Sequence, residues 1–208
     1  MLDIRNAVVR YGAVAAVDDV TVSVDRGEFV VITGSNGSGK SSLIRAILGL
    51  VGLASGTISV GGTVATSPRD WRVRRELVAY VPQRTSPGAF PLLVEELLDS
   101  SNAVAEATAA AERLGIGALL HRPVTTLSGG QLQRAYLARA AGSVGRGATM
   151  IIADEPTSAL DFSGQDDVGA LLRELSVTRV VVSHDSAVVE RADRVLEMAG
   201  GTLRERSA

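Results

Sequence analysis

The sequence predicts a single α/β domain built around a buried parallel sheet. Three short, largely apolar runs, at residues 29–32, 150–153 and 179–183, have the length and the β-branched composition of strands that are buried on both faces. Segments with helical spacing of apolar residues follow the first two runs. The 208 residues are enough for one domain of this class with a sizeable core.

A glycine-rich loop follows the first of these runs and leads into a helix. Residues 34–41 fit the pattern G-x-x-x-x-G-K-[ST] between a strand and a helix, which is the context that a phosphate-binding loop requires. Gly37 and Gly39 allow backbone N–H groups to point at phosphate oxygens, and the helix N-terminus adds a positive dipole end. We expect Lys40, the only lysine of the chain, to reach the β- and γ-phosphates and Ser41 to ligate Mg²⁺.

Polar side chains follow the ends of three predicted strands. Gln83 comes after a short strand at residues 77–81, Asp154 and Glu155 come directly after the second apolar run, and His184 comes after the third. Ligands of open α/β sheets bind at the carboxyl ends of the strands. We therefore expect Asp154 to hold Mg²⁺ through water and Glu155 to polarise an attacking water. Gln83 is a candidate to ligate Mg²⁺ or position water, and His184 to sense a γ-phosphate.

The two ends of the chain have the pattern of antiparallel strands. Residues 2–9 and 19–25 alternate in the manner of half-exposed strands, and residues 55–64 and 194–206 indicate hairpins that turn at paired glycines. Tyr11 lies in the link between the first two strands. Its position is equally consistent with stacking on an adenine and with a boundary tyrosine.

Residues 84–126 differ in character and predict a helical insertion in the sheet domain. They open with prolines and continue as helix-like segments at 92–100 and 103–114, followed by a short helix near 116–121. His121, at the end of the last segment, is expected on the surface.

A helix N-terminus is predicted just after this insertion. Ser128 and Gln131 have the spacing of a capping box, and Gly129 and Gly130 leave backbone N–H groups open for an anion. On the pattern alone, a capped helix and nothing more is sufficient.

Two segments are predicted to lie on the surface without a functional role. Residues 69–75 are basic and indicate a solvated helix or loop. Residues 142–148 are rich in glycine and indicate a loose surface loop.

Composition excludes several classes of protein. A net charge of −2 gives no broad basic face for nucleic acid, and the lack of cysteine excludes disulfides and thiolate metal sites. The first 12 residues carry charge where a secretory signal needs an apolar core, which predicts that the chain stays in the cytoplasm. No apolar run approaches the roughly 20 residues that cross a bilayer.

In their order and spacing, the motifs together resemble an ABC-transporter ATPase subunit. The segment LSGGQ is the discriminating motif, because other phosphate-loop families lack it. The resemblance covers nearly the whole chain and is carried by Tyr11, GSNGSGKSS at 34–42, Gln83, LSGGQ at 127–131, MIIADE at 150–155, SALD at 158–161 and His184. It implies a P-loop NTPase (RecA-like) core with an antiparallel β subdomain, from residues 1–83 and 127–208, and a helical subdomain at 84–126.

The resemblance implies ATP and Mg²⁺ as cofactors and a role for each matching residue. Glu155 is the implied general base, with His184, Gln83 and Lys40 as further catalytic residues. Tyr11 stacks on adenine, and Ser41, Gln83 and Asp154 surround Mg²⁺. The implied phosphate-binding residues are Gly34, Ser35, Asn36, Gly37, Ser38, Gly39, Lys40, Ser41 and Ser42. The residues implied to contact ATP held by a second copy are Ser128, Gly129, Gly130 and Gln131, with Asp161 at the interface between copies.

The implied assembly is a head-to-tail dimer at the cytoplasmic face of the cell membrane. Transmembrane permease subunits are expected to dock near Gln83 and residues 84–126, together with a solute-binding protein, and no nucleic acid is expected. The stretch at 85–98, TSPGAFPLLVEELL, resembles the ATPases of manganese, zinc or iron importers. A soluble ABC ATPase acting on nucleic acid or the ribosome, and an exporter cassette for lipids or drugs, are the alternatives.

Overall fold

A computed structural model describes residues 1–83 and 91–206 of the chain, in two sheets and seven α-helices among these residues. The stretch at 85–98 that resembles importer ATPases lies partly outside the described residues. The strands are β1 (Leu2–Tyr11), β2 (Val14–Val24), β3 (Phe29–Thr33), β4 (Ser55–Val60), β5 (Thr63–Val64), β6 (Val78–Val81), β7 (Met150–Asp154), β8 (Thr178–Val182), β9 (Arg194–Ala199) and β10 (Thr202–Glu205). The helices are α1 (Lys40–Ile47), α2 (Pro68–Leu77), α3 (Val94–Asp99), α4 (Val104–Arg113), α5 (Gly129–Gly145), α6 (Phe162–Glu174) and α7 (Ser186–Val189).

The larger sheet has six strands in the order β10-β9-β3-β8-β7-β6. All its pairings are parallel except that of β10 with β9. Alternate residues of β3 enter the two hydrophobic cores of the molecule, Val30 on one face and Val31 on the other, and both are fully buried. The prediction of buried strands is therefore confirmed. Because β3, β7 and β8 run in the same direction, the loops at their carboxyl ends share one edge.

The smaller sheet is antiparallel, in the order β2-β1-β4-β5. Its β4–β5 hairpin turns at Gly61 and Gly62, which both have positive φ angles of 61° and 82°. A two-residue turn of this kind requires such angles, and glycine adopts them without steric cost. The sheet covers α1 and joins the core on that side of the larger sheet.

The basic segment at 69–75 forms most of α2, but the prediction that it is a solvated face is wrong for Arg74. This side chain is buried and donates hydrogen bonds to the carbonyl oxygens of Ile47 at 3.2 Å, Ile58 at 2.8 Å and Thr63 at 3.3 Å. Its guanidinium also lies 4.7 Å from the centre of the Trp71 ring. Arg74 thus ties the end of α1 to the β4–β5 hairpin.

The prediction of a loose loop at 142–148 is wrong for residues 142–145, whereas residues 146 and 147 do form an exposed turn. Helix α5 continues to Gly145, and Gly142 is buried against the helices before it. A Cβ atom on Gly142 would lie 2.6 Å from Ser101 Oγ and 2.7 Å from Ala107 Cβ. Gly142 and Gly145, which suggest a loop in the sequence, instead let α5 approach α4 closely.

The predicted helical insertion contains α3, α4 and a 3-10 turn at Gly117–Leu119. His121 is exposed, as expected, and its Nδ1 lies 2.9 Å from a carboxylate oxygen of Glu95. These helices pack on α5 in the core opposite α1. Within residues 1–83 and 91–206, no helix is both long and apolar enough to cross a membrane.

Candidate functional site

The predicted phosphate loop and the predicted acidic residues meet in one cavity of about 390 Å³ at the carboxyl edge of the larger sheet. A larger cavity, of about 760 Å³, lies beside β9 and β10, but none of the predicted site residues line it. The residues that line the smaller cavity are Tyr11, Ala16, Asn36, Gly37, Gly39, Lys40, Ser41, Ser42, Gln83, Asp154, Glu155 and Val182. All of these residues except Ala16 and Val182 belong to the predicted site.

The loop from β3 to α1 depends on two glycines. Gly34 has φ 139° and Gly39 has φ 111°, and Gly39 is the N-cap of α1. A Cβ on Gly39 would lie 2.1 Å from the carbonyl oxygen of Ala16, and one on Gly34 would lie 2.2 Å from that of Met198. Both contacts are impossible, so the neighbouring strands β2 and β9 force glycine at these positions.

Lys40 lies at the start of α1 with 8% of its surface exposed. Its Nζ donates hydrogen bonds to the carbonyl oxygens of Gly34 at 2.7 Å and Ser35 at 2.8 Å. An ammonium group has three donors, so one remains available for a ligand in the cavity. The site thus holds a fixed positive charge beside a helix N-terminus, where both favour an anion.

Asp154 ends β7 as a buried carboxylate. Burial raises the pKa of this carboxyl above its ordinary value, and the Ser41 hydroxyl and the charges of Arg45 and Lys40 partly offset that rise. Its Oδ1 atom is buried without a hydrogen-bond partner among the described residues. A hydroxyl, a carboxylate with an unused oxygen and the amide of Gln83 form an oxygen donor set that fits Mg²⁺.

Glu155 is held in an unusual backbone conformation, with φ 49°. Its N–H donates to the carbonyl oxygen of Val182 at 2.8 Å, which ties this residue to the end of β8. The carboxylate is buried, and its Oε1 lies 3.3 Å from Nδ1 of His184. Left-handed backbone at a non-glycine residue costs about 1–3 kcal/mol and is common at functional sites.

Several predicted residues contact the site without lining the cavity. His184 is exposed and touches it through Glu155. Gly34 and Ser35 accept from Lys40, and Ser38 is buried with its carbonyl oxygen bonded to the N–H of Gly201 at 3.0 Å. These residues hold the loop in its conformation from the side away from the cavity.

The residues at 128–131 and Asp161 lie apart from the cavity and form a second group. The capping box of α5 is present, since Ser128 Oγ accepts from Gln131 N at 3.2 Å and Gln131 Oε1 accepts from Ser128 N at 3.0 Å. Gly130 packs against Ala159, where a Cβ would lie 2.8 Å from the carbonyl oxygen. Asp161 caps α6 and is exposed. One chain therefore brings together only part of the predicted site.

Ala16 and Val182 could not be found by sequence reasoning. Neither side chain carries a chemical group that would identify it, and each only lines the cavity. They reach the cavity because β2 crosses the phosphate loop and because β8 lies between β3 and β7.

A comparison with protein families matches residues 17–158 to the family described as "ABC transporter". The zinc import ATP-binding protein ZnuC of Paracoccus denitrificans is 40% identical, over 91% of this chain and 72% of its own length. The hemin import ATP-binding protein HmuV of Rhodopseudomonas palustris is 35% identical, over 90% of this chain and 75% of its own.

The fold of the whole chain has a counterpart among solved structures. A dimeric bacterial ABC transporter cassette superimposes with a TM-score of 0.88 at 25% identity, covering 100% of this chain and 98% of that one. The family match spans more than half of the chain, and both relatives are ATP-binding subunits. The chain therefore belongs to the ABC transporter family, as one of its ATPase subunits.

Proposed function

We propose that two copies of this chain close over two Mg-ATP molecules, hydrolyse them and thereby energise an importer of metal ions or another small solute. One observation carries the proposal: the cavity holds the loop, Asp154 and Glu155, whereas residues 128–131 lie outside it. A second copy can supply the missing segment. The site is then complete only when the dimer has closed.

The cavity has the parts needed to hold ATP. Tyr11 is 47% exposed at its rim, so that its ring can stack on the adenine. The loop from Gly34 to Ser42 surrounds the phosphates, with the ammonium of Lys40 near the β- and γ-phosphates. The N-terminus of α1 adds a favourable dipole.

Ser41, Gln83 and Asp154 are the proposed ligands of Mg²⁺, Asp154 acting through water. The partnerless Oδ1 of Asp154 and its burial beside Ser41 support this role. When bound, Mg²⁺ neutralises charge on the phosphate oxygens.

Glu155 is the proposed general base. Its carboxylate is positioned to accept a proton from a water that attacks the γ-phosphorus, while the bond between the β–γ bridging oxygen and that phosphorus breaks. His184 lies against this carboxylate and is proposed to contact the γ-phosphate as well. The fixed backbone of Glu155 means that little reorganisation is needed when ATP binds.

The second group of residues is proposed to complete the site of the other copy. Ser128, Gly129, Gly130 and Gln131 present an α5 N-terminus to its γ-phosphate, and Asp161 lies at the interface. The dimeric cassette with the same fold supports this arrangement. Loss of the γ-phosphate then removes a bond between the copies, which lets the dimer open.

A groove between α2, α5 and residues 100–102 of the predicted helical insertion is proposed to receive the permease at the cytoplasmic face of the membrane. Two adjoining cavities, of about 600 and 370 Å³, share Arg75, Val78, Ser100 and Ser143. Their walls include the exposed apolar side chains Leu50 and Val73. Arg75, Arg139 and Arg146 also line the groove, so an apolar helix face with acidic residues fits these walls. A solute-binding protein would complete the importer.

The cargo class rests on likeness alone. The names of the two relatives refer to zinc and to hemin import. The stretch at 85–98 resembles the ATPases of manganese, zinc or iron importers. The cargo does not touch the ATPase subunit, so no feature of the cavity selects among metal ions or other small solutes.

The central test is the substitution Glu155→Gln. We expect ATP binding to persist, turnover to fall at least about a hundredfold because the base is lost, and a dimer to accumulate with ATP. Size-exclusion chromatography and phosphate release measure these outcomes. The exposed Glu190→Gln is the matched control and should behave as wild type. A fully active and strictly monomeric Glu155→Gln protein would contradict the mechanism.

Copurification tests the membrane partner. Affinity-tagged protein from detergent-solubilised membranes of its own host should retain a multi-span membrane protein. Changing Val73 to Asp together with Arg75 to Glu should release that partner and leave ATP binding intact, whereas Arg72→Glu, an exposed residue of the same helix that does not line the groove, should not. A wild-type protein recovered wholly without a membrane partner would count against transport.

A further inference from the structure

Phe162 is the most exposed of the large apolar side chains in the part of the chain that the structure describes, with 80% of its surface accessible. It is the first residue of α6 and follows the cap residue Asp161, whose Oδ1 accepts a hydrogen bond from Gly164 N at 3.1 Å. The ring is therefore presented from a capped helix N-terminus. Its exposure is a property of an ordered element.

The surface between Phe162 and residues 128–130 carries little charge, whereas Asp166, further along α6, is exposed and paired with Arg191. We define the α6 cap surface as residues 128–130 and 158–163. Most of its residues are exposed, and Asp161 is its only charged side chain. Arg134 Nη2 approaches that carboxylate at 3.9 Å, which partly balances its charge. Exposed apolar area with few charges is typical of the central part of a protein interface.

The α6 cap surface is continuous with the segment that the proposed function assigns to contact with a second copy. Gly130 packs on Ala159 and Leu160, so residues 128–130 and the turn before α6 form one piece of surface. If residues 128–131 face the other copy, the start of α6 faces it too. The second copy of this chain is thus the occupant that the geometry favours.

We propose that Phe162 is a hydrophobic anchor of the ATP-closed dimer, with its ring buried against the second copy. This inference rests on the proposed function, because it needs closure through residues 128–131. In a two-fold dimer each interface residue occurs twice, so that two rings leave water when the dimer closes. Aromatic side chains near the centre of an interface contribute much of its affinity.

The test compares dimer dissociation constants in the Glu155→Gln background with ATP, by analytical ultracentrifugation. We expect Phe162→Ser and Phe162→Gln each to raise the constant by about tenfold or more. Val104→Ser removes another exposed apolar side chain, 50% accessible at the start of α4, and should leave it unchanged. Thermal unfolding and nucleotide affinity of the monomers should match the parent, because Phe162 supports neither the core nor the cavity.

Three results would overturn the proposal, and they are distinguishable. If both Phe162 variants dimerise as tightly as the parent, Phe162 is no anchor and the proposed function stands. If Val104→Ser weakens the dimer equally, the effect is not specific to the α6 cap surface. If the Glu155→Gln parent forms no dimer with ATP, the proposed function fails together with this inference.

Discussion

At the scale of single residues, Asp154 is a buried carboxylate that stability alone would not favour. Its carboxylate is buried at the end of β7, and burial raises its pKa above the ordinary value of 3.8. One oxygen lacks a partner among the described residues. Such a group destabilises the ligand-free protein when it is ionised. A bound cation would remove that penalty.

We expect Asp154→Asn to raise the melting temperature of the ligand-free protein at neutral pH, on the order of a few degrees. Because the folded-state pKa is raised, the ionised carboxylate costs stability above that pKa. The cost shrinks as pH falls through it and vanishes below the unfolded-state value. The gain from asparagine should therefore become small at about pH 4, which is close to the unfolded-state value. Calorimetry at neutral pH and at about pH 4 measures this.

The exposed Asp99→Asn is the control and should show no such gain at neutral pH. In the same experiments, Mg²⁺ should stabilise ATP-bound wild type more than ATP-bound Asp154→Asn. A destabilised Asp154→Asn protein at neutral pH would contradict the role assigned to burial.

The polar residues that line the cavity were predictable from the sequence, whereas the contacts that position them were not. A glycine loop between a strand and a helix identifies Lys40 and Ser41, and acids after a buried strand identify Asp154 and Glu155. The left-handed backbone of Glu155 and the contact of Gly39 with Ala16 depend on neighbouring strands. Such contacts join residues far apart in sequence, and no local pattern encodes them.

At the scale of elements, α5 connects the two parts of the proposed mechanism. Its N-terminus carries Ser128, and its last turns pack on α4 through Gly142 and Gly145. A Cβ on Gly145 would lie 2.7 Å from Cγ of Glu106. Helix α5 therefore links the segment at 128–131 directly to α4 of the predicted helical insertion.

We expect Gly142→Ala to lower the free energy of unfolding by about 1 kcal/mol. Alanine is favoured over glycine in a helix by about 1 kcal/mol. The added methyl group overlaps Ser101 and Ala107, and overpacking of this kind costs about 1–3 kcal/mol. Urea denaturation measures the change.

Gly52→Ala serves as the control, because its Cβ would meet nothing within 4 Å. Its free energy of unfolding should change by less than about 0.5 kcal/mol. If Gly142→Ala proved as stable as this control, the close approach of α5 to α4 would be wrong.

The elements that the sequence predicted are those with a local signal. Strands β3, β7 and β8, the hairpins and α1 were predictable, because periodicity and turn glycines are local signals. The end of α5 was not, because glycine reads as a loop unless the packing partner is known. Helix α7 has only four residues, which is too short for periodicity. The burial of Arg74 was not predictable either, because its three carbonyl partners lie elsewhere in the chain.

At the scale of the whole molecule, the separation between the cavity and residues 128–131 underlies the proposal that two copies are needed for activity. Each copy is proposed to give Lys40 and Glu155 to one site and Ser128 to the other. A defect in one part can therefore be rescued by a partner with a defect in the other part, which a site contained in one chain does not allow.

We expect Lys40→Ala and Ser128→Arg proteins to be inactive alone and active when mixed. Random pairing makes half of the dimers mixed, and each mixed dimer has one intact site, which gives about a quarter of wild-type turnover. ATP hydrolysis by equal mixtures measures this. Lys40→Ala mixed with Glu155→Gln is the control, because both defects lie in the same half of a site and no intact site forms. Equal activity of the two mixtures would contradict shared sites.

Lys40 has a consequence beyond binding. It carries the only side-chain amine of the chain, and both its burial and its two bonds to loop carbonyls shield that amine from solvent. A reagent can approach this amine from the cavity, which Lys40 lines and where its third donor remains available. A bound nucleotide fills that cavity and should slow acylation of the amine. The rate at which this one side chain is acylated therefore reports how much of the protein holds nucleotide, and the wild-type chain contains this probe of occupancy with no engineered label.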